Sequence, residues 1–270
     1  MSSIFHSLAD TPSDAQPDTL PLRSARPSTQ RAPRNRRFRR IVRVVLLTGA
    51  LGALLCALAG WAYLASLPSV ADAPQRVAAM LREHHGVSAG TPLPQKVGQA
   101  IVAVEDQRFF LNHGLDVPSM AHFTWGFITT GSTQEGGATI TEQLVKLLYV
   151  REPTTIGGKI EMMGLALKMN QAYTKPQILG MYLDAIYYGH QAYGIAQASE
   201  TYFHTTPDQL NWGQASLLAG LPQAPSAYDP FEHFTLARER QQHVLSRLVA
   251  TGVLTSAQAA AAYAETPGLP

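Results

Sequence analysis

From Leu93 onward, apolar residues recur every three or four positions, the spacing that places them on one face of an α-helix. No convincing alternation of apolar and polar residues, typical of half-buried strands, interrupts this pattern. Helix-start signals divide it, among them the capping box Thr139-Ile-Thr-Glu142. The pattern predicts a mainly α-helical domain, with helices near 94–107, 139–151, 156–173, 175–187, 191–203, 208–220, 234–250 and 255–264.

A different pattern precedes this domain. From Val44 to Ala65 the chain has 22 consecutive residues without a charge. As a helix they would rise about 33 Å, which matches the hydrocarbon core of a bilayer, about 30 Å thick. We therefore expect a single transmembrane helix over 44–66. The alternative, a cleaved signal peptide, normally has a shorter apolar stretch that lies nearer the N-terminus.

The segment before this apolar run is strongly basic. Residues 1–43 carry nine Arg and three Asp, whereas the net charge of the whole chain is +2. The basic charge therefore belongs to the tail, and no nucleic-acid-binding domain is expected. Its composition of Ser, Pro and Arg predicts a disordered tail, and its charge places the N-terminus in the cytoplasm. Residues 67–91 are expected to form a linker that contains a short helical stretch, and 92–265 the folded domain outside the membrane.

Candidate chemistry begins where the first helix of the folded domain should end. Glu105 and Asp106 follow an apolar helical run, and an aromatic pair and His113-Gly114 come next. A carboxylate at the edge of a cleft, beside nonpolar side chains, can take and give protons as a general base. Two adjacent acids can equally well cap and solvate a helix end. His113 is expected to be a hydrogen-bonding residue of the turn.

A second group of candidate residues lies at the start of the helix predicted near 139–151. Gly136 and Gly137 precede a capped helix whose free N–H groups and dipole are suited to phosphate oxygens. Lys146 lies two turns from Thr139 on the same face and could add a full charge. Taken alone, this segment could also be a loop followed by an ordinary amphipathic helix.

Together these motifs resemble those of the peptidoglycan glycosyltransferases, the membrane enzymes of glycosyltransferase family 51 that polymerise lipid II. Residues 105–114 resemble the first motif of the family, and 136–147 are similar to the second, Gly-Gly-Ser-Thr-Ile-Thr-Gln-Gln followed by Lys-Asn. Residues 175–189 and 240–245 are similar to the fourth and fifth motifs. The resemblance covers residues 92–250.

The third motif of the family, Arg-Lys-x-x-Glu, is damaged in this chain. Its Arg falls on Gly158, its Lys on Lys159 and its Glu on Met162. Glu161 lies one residue away, and one helical step turns a side chain by about 100°, so it can replace the missing acid only if the backbone shifts.

The resemblance implies a mainly α, lysozyme-like glycosyltransferase domain behind the membrane helix. It implies that lipid II is polymerised into β-1,4 glycan strands with inversion, that undecaprenyl pyrophosphate is released, and that a divalent cation, Mg²⁺ or Mn²⁺, is a candidate cofactor. The catalytic candidates are Glu105, as general base, and Glu161. The substrate-binding candidates are Asp106, His113, Gly136, Gly137, Thr139, Gln143, Lys146 and Lys159.

The same resemblance implies a single-pass protein of the bacterial cytoplasmic membrane with its catalytic domain outside. Expected partners are lipid II, the growing strand, membrane lipids and other cell-wall synthesis proteins, but not nucleic acid. Two alternatives stay open. The departures at Glu142, Gly158, Met162 and Asp184 would suit a non-catalytic scaffold of wall assembly, and a lone Glu in such a cleft would also suit a lytic muramidase.

Overall fold

The computed structural model describes residues 36–116, 138–265 and 268–269. These residues form ten α-helices and no β-strand, with one isolated bridge between Tyr187 and Tyr193. The mainly α fold class is thereby confirmed. The helices are α1 Arg36–Ser66, α2 Ala73–Glu83, α3 Gln95–Glu105, α4 Ile140–Leu148, α5 Ile156–Ala172, α6 Lys175–Ala185, α7 Ile195–Phe203, α8 Trp212–Gly220, α9 Phe234–Ala250 and α10 Ser256–Ala264.

The eight helices predicted after residue 92 are confirmed, with ends that differ by up to four residues. The largest differences lie at the starts of α7 and α8. His190, Gln191 and Gly194 have positive φ, so the chain turns before α7 begins. A short 3₁₀ turn at Pro207–Gln209 similarly precedes α8.

The chain divides into two units, residues 1–55 and 56–270. Within the part of the chain that the structure describes, the first unit consists of the N-terminal part of α1, whose side chains are exposed from Arg37. By length and composition, the stretch Arg37–Ser66 can cross a membrane. The most apolar stretch of this helix is not buried against protein.

Helix α1 corrects the boundary predicted for the tail. It begins at Arg36, inside the segment 1–43 for which disorder was expected, whereas residues 1–35 lie outside the described part. Arginine is a good helix former, and once a helix has nucleated each further residue adds a hydrogen bond at low cost. The apolar run therefore extends its helix backward through the arginines.

The short helical stretch expected within the linker 67–91 forms α2, but this helix belongs to the core of the folded domain. This helix buries Ala73, Val77 and Leu81 in the core and packs on α6. The segment before it is fixed by hydrogen bonds from the Tyr173 hydroxyl and the Lys168 ammonium to backbone carbonyls of residues 67–71. Three apolar positions at helical spacing in a short polar stretch were the signal for this packing.

Two groups of helices build the core of the second unit. Helix α3 packs against α8 and α9, while α4 packs against α5 and α6. The apolar faces of α3 and α4 are fully buried, which is what the helical spacing of their apolar residues predicts. This packing leaves the C-terminal end of α3 and the N-terminal end of α4 close together, beside α9.

Asp184 ties the chain after α2 to α6. Its carboxylate accepts hydrogen bonds from the Ala89 N–H, at 2.8 Å, and from the Ser88 hydroxyl. Burial raises the pKa of this carboxyl above its ordinary value, although both hydrogen bonds act in the opposite direction. The folded protein therefore binds this proton more tightly than the unfolded chain does.

This shift predicts how stability depends on pH. The free energy of unfolding should fall as the pH rises from the ordinary pKa of aspartate to the raised value, because the unfolded chain binds fewer protons in that interval. Asp184→Asn removes the buried charge and keeps an acceptor oxygen. We expect the variant to have a higher Tm than the wild type at about pH 8 and the same Tm near pH 3.5, just below the ordinary aspartate pKa. Thermal unfolding measured from about pH 3.5 to about pH 8 tests this difference in Tm. Asp208→Asn, on the exposed 3₁₀ turn, is the control.

Gly114 reverses the chain between α3 and the rest of the domain. Its φ is +98°, and a Cβ at this position would lie 2.5 Å from the carbonyl oxygen of Ala166. The Gly114 carbonyl accepts a hydrogen bond of 2.8 Å from the Thr139 hydroxyl, which connects the turn to the start of α4. Only glycine suits both the backbone conformation and this close contact.

Gly114→Ala should therefore lower the free energy of unfolding by about 3 kcal/mol or more, since the new methyl group meets a backbone atom. Gly252→Ala is the matched control, because Gly252 has φ +74° with nothing within 4 Å of the added Cβ. The control substitution should lower the free energy of unfolding by only about 1–2 kcal/mol, the cost of placing alanine in the left-handed conformation. Denaturant unfolding of both variants measures the difference, and equal losses would contradict a steric role for Ala166.

Candidate active site

A cavity of about 430 Å³ opens where the ends of α3 and α4 meet α9. Helix α3 ends at Glu105, and Asp106 follows it as the C-cap with φ −153°, which turns the chain away. Helix α4 contributes its capped N-terminal turn. Among the described residues, the lining includes Glu105, Asp106, Arg108, Asp116, Thr139, Gln143, Gln223, Arg240, His243 and Arg247.

Glu105 is the central carboxylate of this cavity. Its side chain is 14% exposed, so one part of it faces the opening while the rest contacts protein. One oxygen accepts a hydrogen bond of 2.8 Å from the amide nitrogen of Gln143, and the other lies 3.8 Å from a guanidinium nitrogen of Arg240. The predicted base thus has one amide donor and one cation beside it.

Gln143 is held from the opposite side by Tyr182. The hydroxyl of Tyr182 donates a hydrogen bond of 2.8 Å to the carbonyl oxygen of the Gln143 side chain. Tyr182 lies on α6 and is completely buried. Three helices therefore meet at one hydrogen-bonded chain, because Glu105 ends α3, Gln143 lies on α4 and Tyr182 on α6.

Asp106 has a different environment from its neighbour. Its carboxylate accepts two bonds of 3.0 Å from the Asn112 amide and one of 3.1 Å from the Ile140 N–H, the first residue of α4. Burial raises the pKa of Asp106 above its ordinary value, while these donors act against that rise. Asp106 was predicted to bind substrate. In the structure its oxygens join α3 to α4, and because Asp106 also lines the cavity its substrate-binding role stays a prediction.

Thr139 also forms its hydrogen bonds with groups of the protein. Its hydroxyl accepts from the Glu142 N–H at 3.0 Å and donates to Gly114, and the Glu142 carboxylate accepts from the Thr139 N–H at 2.7 Å. This is the capping box that the sequence predicted, and it is confirmed. The hydroxyl of Thr139 therefore has two protein partners, while Thr139 also lines the cavity, and its substrate-binding role stays a prediction.

Lys175, from the fourth motif, supports the turn after α3. Its ammonium donates a bond of 2.7 Å to the side-chain oxygen of Asn112 and lies 4.5 Å from the centre of the Phe109 ring. Burial lowers the pKa of this ammonium below its ordinary value. Asn112 is thereby held in the orientation that lets its amide donate to Asp106.

The cationic wall of the cavity comes from α9. Arg240, His243 and Arg247 line the cavity and lie three and seven positions apart, on one face of the helix. These residues were not among the predicted site residues. Their helical spacing, which begins in the fifth motif and extends past it to Arg247, was the available signal, but only the packing of α9 against α3 shows that this face lines the cavity.

Of the remaining predicted site residues, those that the structure describes do not line this cavity. Lys146, Lys159 and His113 are exposed, and Glu161 is partly buried on α5. No hydrogen bond holds the His113 ring to any described residue, so its predicted bonding role in the turn is not observed. Gly136 and Gly137 lie outside the described residues.

The candidate cation has no matching ligand set among the described residues. None of them forms a group of three or more His, Cys, Asp or Glu side chains that could hold a metal ion. The carboxylates of the cavity are engaged by protein donors, including Asp116, which lies 3.4 Å from the Arg108 guanidinium. The described side chains thus offer no site that fits Mg²⁺ or Mn²⁺, and the divalent metal ion stays a prediction.

Comparisons with known proteins agree on one family. The sequence model of the transglycosylase family matches residues 75–249, nearly two thirds of the chain. Penicillin-binding protein 1F of Bacillus subtilis (strain 168) is 34% identical over 193 residues, which cover 72% of this chain and 27% of that protein. Penicillin-binding protein 1A of Escherichia coli (strain K12) is 36% identical over 166 residues, covering 62% of this chain and 20% of that protein.

This chain therefore matches less than a third of the length of these relatives. A crystal structure of penicillin-binding protein 1A from Haemophilus influenzae aligns with 65% of this chain and 16% of that chain, at 22% identity and a TM-score of 0.39. The family match extends from α2 to the last turn of α9 and includes every described residue that lines the cavity. The chain belongs to the transglycosylase family, that of the peptidoglycan glycosyltransferases.

Proposed function

We propose that this protein polymerises lipid II into β-1,4 glycan strands and releases undecaprenyl pyrophosphate. The observation that carries the proposal is the placement of Glu105 at the mouth of a cavity with a cationic wall, between an amide donor and Arg240. Membership of the transglycosylase family supports the same class of reaction. An acid and several cations in one cleft suit a reaction that moves a proton and expels a diphosphate.

In the proposed reaction Glu105 is the general base. Its carboxylate takes the proton from the 4-hydroxyl of an incoming N-acetylglucosamine, and that oxygen attacks C1 of the lipid-linked strand. The bond from C1 to the diphosphate oxygen breaks, the diphosphate keeps the electron pair, and the configuration at C1 inverts. Gln143 and Arg240 support this role because their contacts hold the carboxylate in one position on the cavity lining.

Negative charge develops on the leaving diphosphate, and cations near it would lower the barrier. Arg247 and His243 lie on the cavity wall and are proposed to supply part of this compensation. Lys146 and Lys159 stay predictions for the same role, on α4 and α5. Glu161 stays a prediction for a second catalytic carboxylate.

We also propose that α1 anchors the protein in the bacterial cytoplasmic membrane. The cluster of arginines before its apolar run favours a cytoplasmic N-terminus, which places the transglycosylase domain outside. The apolar run is long enough to span the hydrocarbon core. Such an anchor brings the enzyme to the membrane that carries its proposed lipid-linked substrate, where membrane lipids and other cell-wall synthesis proteins are the expected partners.

The proposed base is tested by Glu105→Gln, which keeps the size and polarity of the side chain and removes its ability to accept a proton. We expect polymer formation from labelled lipid II by the purified full-length protein to fall by about 100- to 10,000-fold, the usual contribution of general base catalysis. Glu83→Gln, at the exposed end of α2, is the matched control and should behave as wild type. Glu161→Gln in the same assay decides whether the predicted second carboxylate takes part.

The products distinguish the alternative functions. Polymer that muramidase digests supports the polymerase, and its loss in Glu105→Gln supports the assigned base. Lipid II binding without polymer would instead support a scaffold of wall assembly. Shortening of preformed glycan strands would support a lytic enzyme.

A second set of variants tests the predicted diphosphate contacts. Lys146→Ala and Lys159→Ala should each raise the KM for lipid II by about tenfold, because a hydrogen bond to a charged group contributes about 1.5–3 kcal/mol. Arg247→Ala should lower kcat as well, since Arg247 faces the cavity that holds the proposed base. Steady-state kinetics separate the two effects, with Arg82→Ala, at an exposed position of α2, as control. Unchanged KM values in both lysine variants would refute their predicted role.

A further inference from the structure

We infer that Tyr182 is a positioning residue for Glu105, acting through the side-chain amide of Gln143. The inference rests on the proposed function, in which Glu105 must be ionised to accept a proton. Tyr182 does not line the cavity and lies in the core, so it has no contact with the reacting groups. Its effect on the reaction would be transmitted by one hydrogen bond.

The geometry assigns a single direction to the Gln143 amide. Its nitrogen lies 2.8 Å from a Glu105 oxygen, and its oxygen lies 2.8 Å from the Tyr182 hydroxyl. If the amide turned over, its oxygen would face the Glu105 carboxylate, and two acceptors would meet. The hydroxyl proton of Tyr182 would also lose its acceptor inside the core, which is costly for a buried donor.

The tyrosine remains a donor throughout the relevant pH range. Burial raises the pKa of Tyr182 well above its ordinary value, and the nearby Glu105 charge adds to this rise. The phenol therefore stays protonated, and the amide nitrogen of Gln143 continues to face Glu105 whether or not that acid carries a proton.

This fixed direction matters for the state of the acid. A protonated Glu105 could donate a hydrogen bond to a glutamine that had turned over, and that bond would stabilise the protonated form. By opposing the turn, Tyr182 removes this option and leaves Glu105 with a partner that favours its ionised form. The proposed base is thereby available at a lower pH than it would be with a freely turning glutamine.

Other charged groups act on Glu105 independently of Tyr182. Arg240 approaches it directly, and the remaining ionisable groups on the cavity lining come from the turn after α3 and from α9. None of them belongs to α6, so replacing Tyr182 leaves them in place. They are Asp106, Arg108, Asp116, His243 and Arg247.

The chain provides a matched control for a buried tyrosine. Tyr188 is also completely buried, but among the described residues its hydroxyl has no hydrogen-bond partner. Tyr182→Phe and Tyr188→Phe therefore remove the same atom from two buried rings. Only the first substitution breaks the connection to Gln143.

The first experiment compares the pH dependence of glycan synthesis in these two variants. We expect Tyr182→Phe to shift the acid limb of the kcat profile to higher pH by about one unit, the scale of one charge-assisted hydrogen bond, with KM for lipid II within about twofold of wild type. Tyr188→Phe should leave the profile in place. A role for Tyr182 in packing alone would lower Tm without moving the acid limb, and that result would overturn the inference.

A double-mutant cycle tests whether the effect passes through Gln143. In a Gln143→Leu background there is no amide to orient, so adding Tyr182→Phe should change neither the profile nor kcat beyond about twofold. The two substitutions would then be strongly non-additive. Additive effects would show that Tyr182 acts by another route and would overturn the inference.

An independent readout separates this inference from the proposed function. Carbodiimide reacts with protonated carboxyl groups, so the pH dependence of labelling at Glu105, followed by peptide mass spectrometry, reports its ionisation without substrate. We expect the labelling curve of Tyr182→Phe to move to higher pH and that of Tyr188→Phe to match wild type. A shifted curve in a protein that makes no glycan would refute the proposed function alone, and an unshifted curve in an active enzyme would refute the inference alone.

Discussion

The buried carboxylate of Asp106 is the interaction on which the arrangement of the cavity depends. It accepts hydrogen bonds from the first N–H of α4 and from Asn112, and so joins the end of α3 to the start of α4. Burying a carboxylate is costly unless donors compensate it, and these groups provide the compensation. Because Asp106 directly follows Glu105, the same contact that joins the helices brings Glu105 to Gln143.

The turn after α3 supports this contact in several ways. Lys175 orients the Asn112 amide, and Gly114 allows the chain to reverse beside Ala166. Thr139 links that turn to the capping box of α4. Residues from the first, second and fourth motifs thus hold one another in place around the cavity that Glu105 and Gln143 line. Two adjacent carboxylates therefore have different environments, since Asp106 is buried among hydrogen-bond donors and Glu105 is partly exposed.

Charge is distributed across the cavity in a way that suits the proposed chemistry. The acid comes from α3 and three basic side chains from one face of α9, and Arg240 lies 3.8 Å from Glu105, so a substrate in the cavity would meet the carboxylate and positive charge together. Hydrogen-bond donors fixed before the reaction do not need to reorganise as charge develops. The chain from Tyr182 through Gln143 to Glu105 extends this preorganisation into the core.

The sequence by itself determined the helical class and the eight helices after residue 92, and its resemblance to the motifs of the family identified Glu105 and Gln143 as candidates. Helical periodicity and capping are local properties, and so a reading of the chain can find them. Only the tertiary structure decided which candidates share a cavity. Asp106 and Thr139 became partners of backbone groups, Arg240 and Arg247 joined the lining, and α2 packed into the core. These outcomes depend on contacts between residues far apart in the chain, such as Tyr182 with Gln143, and no local pattern encodes such contacts.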